Sequence, residues 1–232
     1  MTSRLKKVKN HFESEAGIYD ENVVKVIPYY KEMLDALILN LPFPQDKELK
    51  IIDLGCGTGT LPFLIKSKFP NARIICLDFA ESMIKAAQEK LKNFSGIEFE
   101  LADITHYDFK DKYDAVVSSL ALHHLETDQD KKDFYQKIYS ALNENGIFIN
   151  ADIKIASNEL FQKTSLIKWE EFMSHTLSKD EIQGYFNKYR TEDRPVVITD
   201  ELIWLKEIGF RQIDVFWKYY NFAVYGGMKL MQ

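Results

Sequence analysis

The stretch Ile51-Ile52-Asp53-Leu54-Gly55-Cys56-Gly57-Thr58-Gly59-Thr60 restricts this chain to few architectures. An apolar strand passes through a carboxylate into alternating glycines. A helix then starts with Pro62 near its first turn, where a missing N–H costs little. Glycine takes positive φ without steric cost and lets a ligand approach the backbone. Such a unit is the first βα turn of a doubly wound α/β sheet, where ligands bind at the carboxyl ends of the strands. The spacing is Asp-x-Gly-x-Gly-x-Gly. A dinucleotide turn reads G-x-G-x-x-G. Here the third position of that pattern is Thr60, and the glycine falls one residue early, at Gly59. A P-loop would need Gly-Lys-Ser/Thr, which is missing. Asp53 sits where it can accept hydrogen bonds from a ligand's ammonium group.

Strands and helices then alternate. Strand β1 covers residues 50–54 and its helix runs to Phe69. Residues 72–77 read as a buried second strand ending in Asp78, about 20 residues past the glycines, where an acid accepts both ribose hydroxyls of a bound nucleoside. Phe79 and Met83 follow closely and are placed to line an adenine. A helix from about 81 to 93 leads to a third strand, 97–102, which ends in Asp103-Ile104. Asp103 is positioned to accept from an adenine amino group, with Ile104 adding a backbone contact. The fourth strand, 113–120, runs into Ser118-Ser119-Leu120-Ala121-Leu122-His123-His124-Leu125. Thr127 and Asp130 form a capping box for the next helix, and residues 147–153 form the fifth strand. This alternation gives a parallel sheet with right-handed crossovers.

The flanks differ from the core. Residues 1–20 are polar and lightly basic. Residues 21–40 carry apolar side chains at helical spacing, interrupted at Pro28. This part is expected to cover the sheet and act as a flap over the ligand, with Tyr19 and Tyr30 as contacts. Residues 154–198 read as helices without a strand, the second of them opened by a capping box at Ser178 and Glu181. They are expected to form a lid. A helix over 199–208, stopped by Gly209, precedes two strands, 211–219 and 222–231, tight enough to be antiparallel neighbours. The chain thus divides into a helical cover (1–45), a ligand-binding core (46–153), a lid (154–198) and a C-terminal helix with hairpin (199–232).

Taken together, Asp53 with its glycines, Asp78, Asp103, the segment after β4 and the late hairpin resemble the class I S-adenosylmethionine (SAM) dependent methyltransferases. The resemblance implies a Rossmann-like α/β fold, a seven-stranded mixed sheet with an antiparallel C-terminal hairpin. It implies SAM as cofactor and S-adenosylhomocysteine as product. The cofactor contacts it implies are Tyr19, Tyr30, Asp53, Gly55, Cys56, Gly57, Gly59, Asp78, Phe79, Met83, Asp103, Ile104, Ser119 and Leu120. Within the class the chain looks most like small-molecule enzymes of the quinone-biosynthesis kind. It is also similar to carboxy-S-adenosylmethionine synthase, which uses SAM and prephenate. That likeness rests on Ile27-Pro28-Tyr29-Tyr30, the lid layout and the ending at Tyr219 to Phe222. That family needs a lid arginine for the extra carboxylate. Arg190 and Arg194 are in the lid, but neither aligns clearly with it.

The SAM methyl is carried on a sulfonium, so transfer is an in-line displacement governed by positioning of the nucleophile. A nitrogen or hydroxyl nucleophile must also lose a proton. His123, with an ordinary pKa of about 6.5, is the expected base or substrate contact. In the lid, Trp169, Phe172, Tyr185 and Tyr189 are expected to form an aromatic pocket for a small methyl acceptor. No metal-ligand set is expected.

Composition narrows the partners. The net charge is −5 over 232 residues, which gives no basic footprint for nucleic acid. No apolar run is long enough to span a membrane. Lys6, Lys7 and Lys9 are followed by polar sequence rather than the apolar core of a signal peptide. Cys56 and Cys76 fit a reducing interior. A cytoplasmic enzyme is expected, and exposed lid aromatics would permit a homodimer. A carboxylating SAM enzyme and a non-catalytic SAM-binding protein are the alternatives.

Overall fold

Alternate residues of the central strands bury on opposite sides of one sheet and divide the core in two. The computed structural model describes residues 2–231. Its sheet is built from β1 (Lys50–Leu54), β2 (Arg73–Asp78), β3 (Ile97–Leu101), β4 (Tyr113–Ser119), β5 (Leu142–Ile153), β6 (Arg211–Tyr219) and β7 (Phe222–Met228). The order is β3-β2-β1-β4-β5-β7-β6. The first five strands are parallel, and β7 is antiparallel to both β5 and β6. The expected mixed sheet with its antiparallel C-terminal pair is present.

One core holds Ile51, Ile74, Val117 and Ile149 against α3 (Tyr30–Leu39), α4 (Thr60–Lys68) and α5 (Glu81–Leu91). The other holds Ile52, Leu54, Val116 and Phe148 against α6 (Asp128–Ala141) and α9 (Ile198–Ile208). Both faces of β1 and β4 are therefore dry, which is why they read as continuous apolar runs. Both expected capping boxes form, Thr127 with Asp130 and Ser178 with Glu181. Gly209, at φ 125°, ends α9.

The lid consists of α7 (Glu159–Met173) and α8 (Lys179–Glu192). Its entry and exit lie side by side, joined by a parallel bridge between Ile155 and Val197. Trp169 of α7 donates from Nε1 to the carbonyl of Val26 at 2.7 Å, fastening the lid to α2 (Tyr19–Val26). Pro28 separates α2 from α3, as its position implies.

Several boundaries differ from the sequence reading, and the last strand stops at Met228 rather than 231. Ser3–Glu15, read as polar and lightly basic within the helical cover, is a helix of its own, α1, capped by Thr2. Leu5 and Val8 are its buried residues. Strand β5 begins at Leu142 rather than 147. Its register against β4 slips between Tyr113 and Ala115, and Asn145 takes φ 61° in the irregular part. Among the described residues no helix is long and apolar enough to cross a membrane.

Candidate active site

The carboxyl ends of β1, β2, β3 and β4 open into a cavity of about 620 Å³. Tyr19, Gly55, Gly57, Asp78, Phe79, Met83, Asp103, Ile104, Ser119 and Leu120 line it. All ten are among the expected cofactor contacts. Gly57 has φ 52°, and a Cβ built on it would meet nothing within 4 Å. Its backbone therefore borders open space, where a ligand can lie directly on the chain.

Asp78 is fixed at the cavity floor. Its carboxylate accepts the N–H groups of Gly57 and Ala80, each at 2.9 Å. Burial raises the carboxyl, backbone N–H donors partly reverse this, and the outcome is a pKa of about 6. Asp103 is held differently: its Oδ1 accepts both the N–H (3.0 Å) and the hydroxyl (2.7 Å) of Thr105. This caps a 3-10 turn at Ile104–His106.

The other four expected contacts lie outside that lining. Asp53 is 1% exposed, and neither of its carboxylate oxygens has a partner. Burial, with the Asp78 charge adding to it, pushes its pKa well above the carboxylate range. An orphaned buried carboxyl beside a ligand cavity is a group waiting for a donor. The Tyr30 hydroxyl is buried near Tyr19, Asp20 and Asp53 and is likewise pushed up. Gly59 has a packing role: a Cβ there would lie 3.0–3.2 Å from Leu91 and Ala87 of α5. Cys56 is buried beneath the turn against Cys76 rather than in the cavity.

A second cavity, of about 790 Å³, lies between the core and the lid. It shares Phe12, Tyr19, Leu120 and His124 with the first. Trp169, Tyr185 and Tyr189 line it as expected. Phe172 does not, and instead packs against Tyr29. Lys188 also borders this cavity, bonded to Glu15 at 2.6 Å. Arg190 points elsewhere, stacking over Phe186 and bonded to Asn187.

His123 is buried in this second cavity wall, and both of its ring nitrogens face carboxylates. Nδ1 is 2.5 Å from Asp152 and Nε2 is 3.5 Å from Asp193. Burial lowers the imidazolium, but the two carboxylates outweigh it and raise its pKa to about 10. Burial alone would raise Asp152, yet the His123 and Lys154 charges hold it well below its usual range. Behind Asp152 a buried polar network braces it. Asn150 bonds Asp152 (3.3 Å) and Tyr225 (2.8 Å), and Lys154 bonds Tyr225 (3.0 Å) and Glu201 (2.5 Å). The expectation of His123 as a free base with an ordinary pKa does not match this geometry. His123 is a held cation. Its neighbour His124, which borders both cavities, is the neutral imidazole: burial and then the His123 charge bring it down to about 3.

Within the expected cover, the reading from sequence did not single out α1 or Phe12 as a wall of the site. Phe12 lines both cavities and meets Tyr19, Phe79 and His124 edge to face. Glu13 accepts the first amides of α5, Glu81 at 2.8 Å and Ser82 at 2.9 Å. On its other side His11 bonds Glu192 of α8 at 2.9 Å. The spacing of Leu5, Val8 and Phe12 behind Thr2 was the available signal, a helical face after an N-cap. The Asp20 carboxylate accepts from Thr58 (2.6 Å) and Lys90 (2.6 Å), tying α2 to the glycine turn.

A family model described as "Methyltransferase domain" matches residues 45–192. Full-length relatives are named carboxy-S-adenosyl-L-methionine synthase. The protein of Nautilia profundicola is 29% identical over 230 residues, covering 97% of each chain. That of Campylobacter hominis is 28% identical over 232 residues, covering 96% of this chain and 95% of its own. Among solved structures, human N-acetylserotonin methyltransferase in complex with SAM aligns with a TM-score of 0.60 at 18% identity, over 95% of this chain. Haemonchus contortus phosphoethanolamine N-methyltransferase 2 in complex with SAM aligns at 0.62 and 17%, over 88% of this chain. This chain spans 55% and 43% of the lengths of those two structures, which share its fold.

Proposed function

The chain belongs to the methyltransferase-domain family, and on that premise we propose that it binds SAM in the 620 Å³ cavity and transfers the methyl group to a small acceptor held under the lid. The observation that carries this reading is the cavity lining. Ten residues expected from sequence as cofactor contacts converge there, with the orphaned Asp53 carboxyl beside them. In the proposed pose Asp78 accepts the ribose hydroxyls and Asp103 the adenine amino group. Phe79 and Met83 flank the base, and Asp53 and the Tyr30 hydroxyl receive the amino-acid end. The methyl then faces the second cavity past Leu120 and His124, which border both spaces.

Aromatic walls at Trp169, Tyr185 and Tyr189 support a small, partly apolar acceptor. Catalysis in this arrangement is chiefly positioning: the acceptor is held in line with the methyl–sulfur bond while α1 and the lid exclude water. Exposed Leu160, Phe161 and Ile167 on α7 support pairing of two copies. Mass spectrometry of small molecules released from the purified protein, with calorimetric titration of SAM, tests the cofactor half. Release of SAM or S-adenosylhomocysteine is expected, and a silent titration would sink the reading.

A second reading is favoured by the full-length relatives, which are named carboxy-S-adenosyl-L-methionine synthase and match end to end. Under it, the second cavity would hold the donor of a carboxyl group, and Lys188 rather than Arg190 would face that carboxylate. A carboxylated cofactor among the released molecules would select this reading over methyl transfer.

A further inference from the structure

Beside the second cavity, three ligand atoms from two separate parts of the chain face one another. His123 Nε2 lies 3.5 Å from Asp193 Oδ1, and His124 Nδ1 lies 3.6 Å from the same oxygen. All three atoms are within 4.8 Å of one another. The two imidazoles are adjacent in the 3-10 turn Leu122–His124, with ring centres 4.1 Å apart and planes at 50°. His124 Nδ1 is buried and has no hydrogen-bond partner. A buried ring nitrogen without a hydrogen bond, facing a carboxylate, is free to take a ligand.

The surroundings are those of a ligating histidine. His123 turns its other nitrogen, Nδ1, onto Asp152 at 2.5 Å, while the second oxygen of that carboxylate accepts the backbone N–H of His123 at 3.0 Å. A carboxylate behind an imidazole fixes its tautomer and orientation and aims the opposite nitrogen at a metal. Asp152 is itself fully buried and braced by Asn150. The adjacent guanidinium of Arg4 is turned away onto the carbonyl of His124 (2.6 Å) and onto Glu126 (3.2 Å).

We propose that His123 Nε2, His124 Nδ1 and Asp193 bind one divalent transition-metal ion of the zinc or iron(II) class, with its open coordination position toward the acceptor cavity. Two imidazoles and one carboxylate suit such ions, whereas magnesium and calcium prefer all-oxygen sets. Bonds of about 2.1 Å in a tetrahedral site put ligand atoms roughly 3.4 Å apart. The separations of 3.5 and 3.6 Å are close to that before any ion is present. His124 borders the cofactor cavity as well, so the ion would sit between cofactor and acceptor, where it would hold a hydroxyl or thiol as its anion, the released proton passing to solvent through the open second cavity. That role in the acceptor's chemistry rests on the proposed transfer reaction; binding of the ion does not. Asp193 ends the lid helix α8 and the histidines belong to the core turn, so the ion also fastens lid to core.

The test is a titration of the full chain, stripped with a chelator and dialysed, with Co²⁺ followed by visible ligand-field absorption and with Zn²⁺ by calorimetry. One ion per chain is expected, with Zn²⁺ displacing the Co²⁺ bands and raising Tm. Asp193→Asn should weaken Co²⁺ at least tenfold and abolish the Zn²⁺ rise in Tm while leaving SAM titration unchanged. His124→Gln should weaken Co²⁺ likewise. If the wild type gives no bands, or both variants keep the wild-type bands and affinity, the proposal is overturned, and the cluster is a hydrogen-bonded ion network. SAM is titrated separately, so failure of SAM to bind would remove the transfer reading and leave the metal result standing.

Discussion

Glu13 of α1 caps the first turn of α5 at Ser82, its carboxylate 2.9 Å from the Ser82 N–H and 2.8 Å from that of Glu81. A negative charge at a helix N-terminus is stabilised by the unpaired amides there. This one side chain therefore latches the N-terminal helix over the cofactor cavity, because α5 forms the rim that carries Met83. Replacing Glu13 with Ala should remove about 1 kcal/mol from that closure. SAM should dissociate several-fold faster with little change in Tm. Rapid-mixing measurement of the dissociation rate checks this, and an unchanged rate would remove α1 as a latch.

Asp78 should make SAM binding depend on pH. Its pKa in the free protein is about 6, raised above the ordinary value chiefly by burial. Only the carboxylate accepts both ribose hydroxyls, so affinity should fall as pH drops through 6. The stability of the free protein should follow the opposite trend. An acid whose folded pKa is raised stabilises the fold below the unfolded pKa, and that contribution is lost as pH rises from about 4 to 6. The loss is on the order of 3 kcal/mol at about 1.4 kcal/mol per unit. Asp78→Asn should lose this pH dependence of stability and bind SAM about 1–3 kcal/mol more weakly. Wild-type affinity in that variant would return Asp78 to a purely structural role.

Asp53 should release a proton when the cofactor binds. Burial and the Asp78 charge hold its carboxyl protonated well above the usual range. A ligand ammonium over its unpartnered oxygens favours the charged form. Calorimetry in buffers of different ionisation enthalpy should therefore give different observed heats near neutral pH, and Asp53→Asn should lose most of that difference. Identical buffer dependence in both proteins would place the ammonium elsewhere.

Trp169 should separate acceptor binding from cofactor binding. Its indole N–H holds the Val26 carbonyl at 2.7 Å, and its ring meets Phe186, Tyr189 and Phe222 edge-on. Truncation to Ala should cost about 3–5 kcal/mol through the cavity left behind. Trp169→Phe keeps most of the packing and loses the hydrogen bond. It should raise the KM for the acceptor while leaving SAM affinity within about twofold, the scale of a loss well under 1 kcal/mol. Equal weakening for both ligands would mean that the lid supports the cofactor site directly.

What could be read in the sequence follows from which features are local. The glycine turn, Asp78 and Asp103 each sit at a strand end, and the strands are apolar runs, so parallel pairing alone brings them to one edge. The capping boxes are four-residue patterns and form as written. The environment of His123 was not legible, because it depends on Asp152 and Asp193, 29 and 70 residues further along. Both sit on other elements, one in a strand and one at the end of a lid helix. Gly59 and Cys56 belong to the turn by pattern, but what each touches is set by α5 and β2 packing beneath it.

The bridge between Ile155 and Val197 brings the two ends of the lid segment together at the rim of the sheet. A segment whose ends meet can be lengthened, shortened or replaced without altering any strand register, since the sheet senses only the closed junction. Descendants of such a chain can change the compound they accept while inheriting the nucleoside cleft intact. Divergence in this lineage should therefore concentrate between residues 156 and 196, and grafting that span between homologues should transfer acceptor preference as a unit.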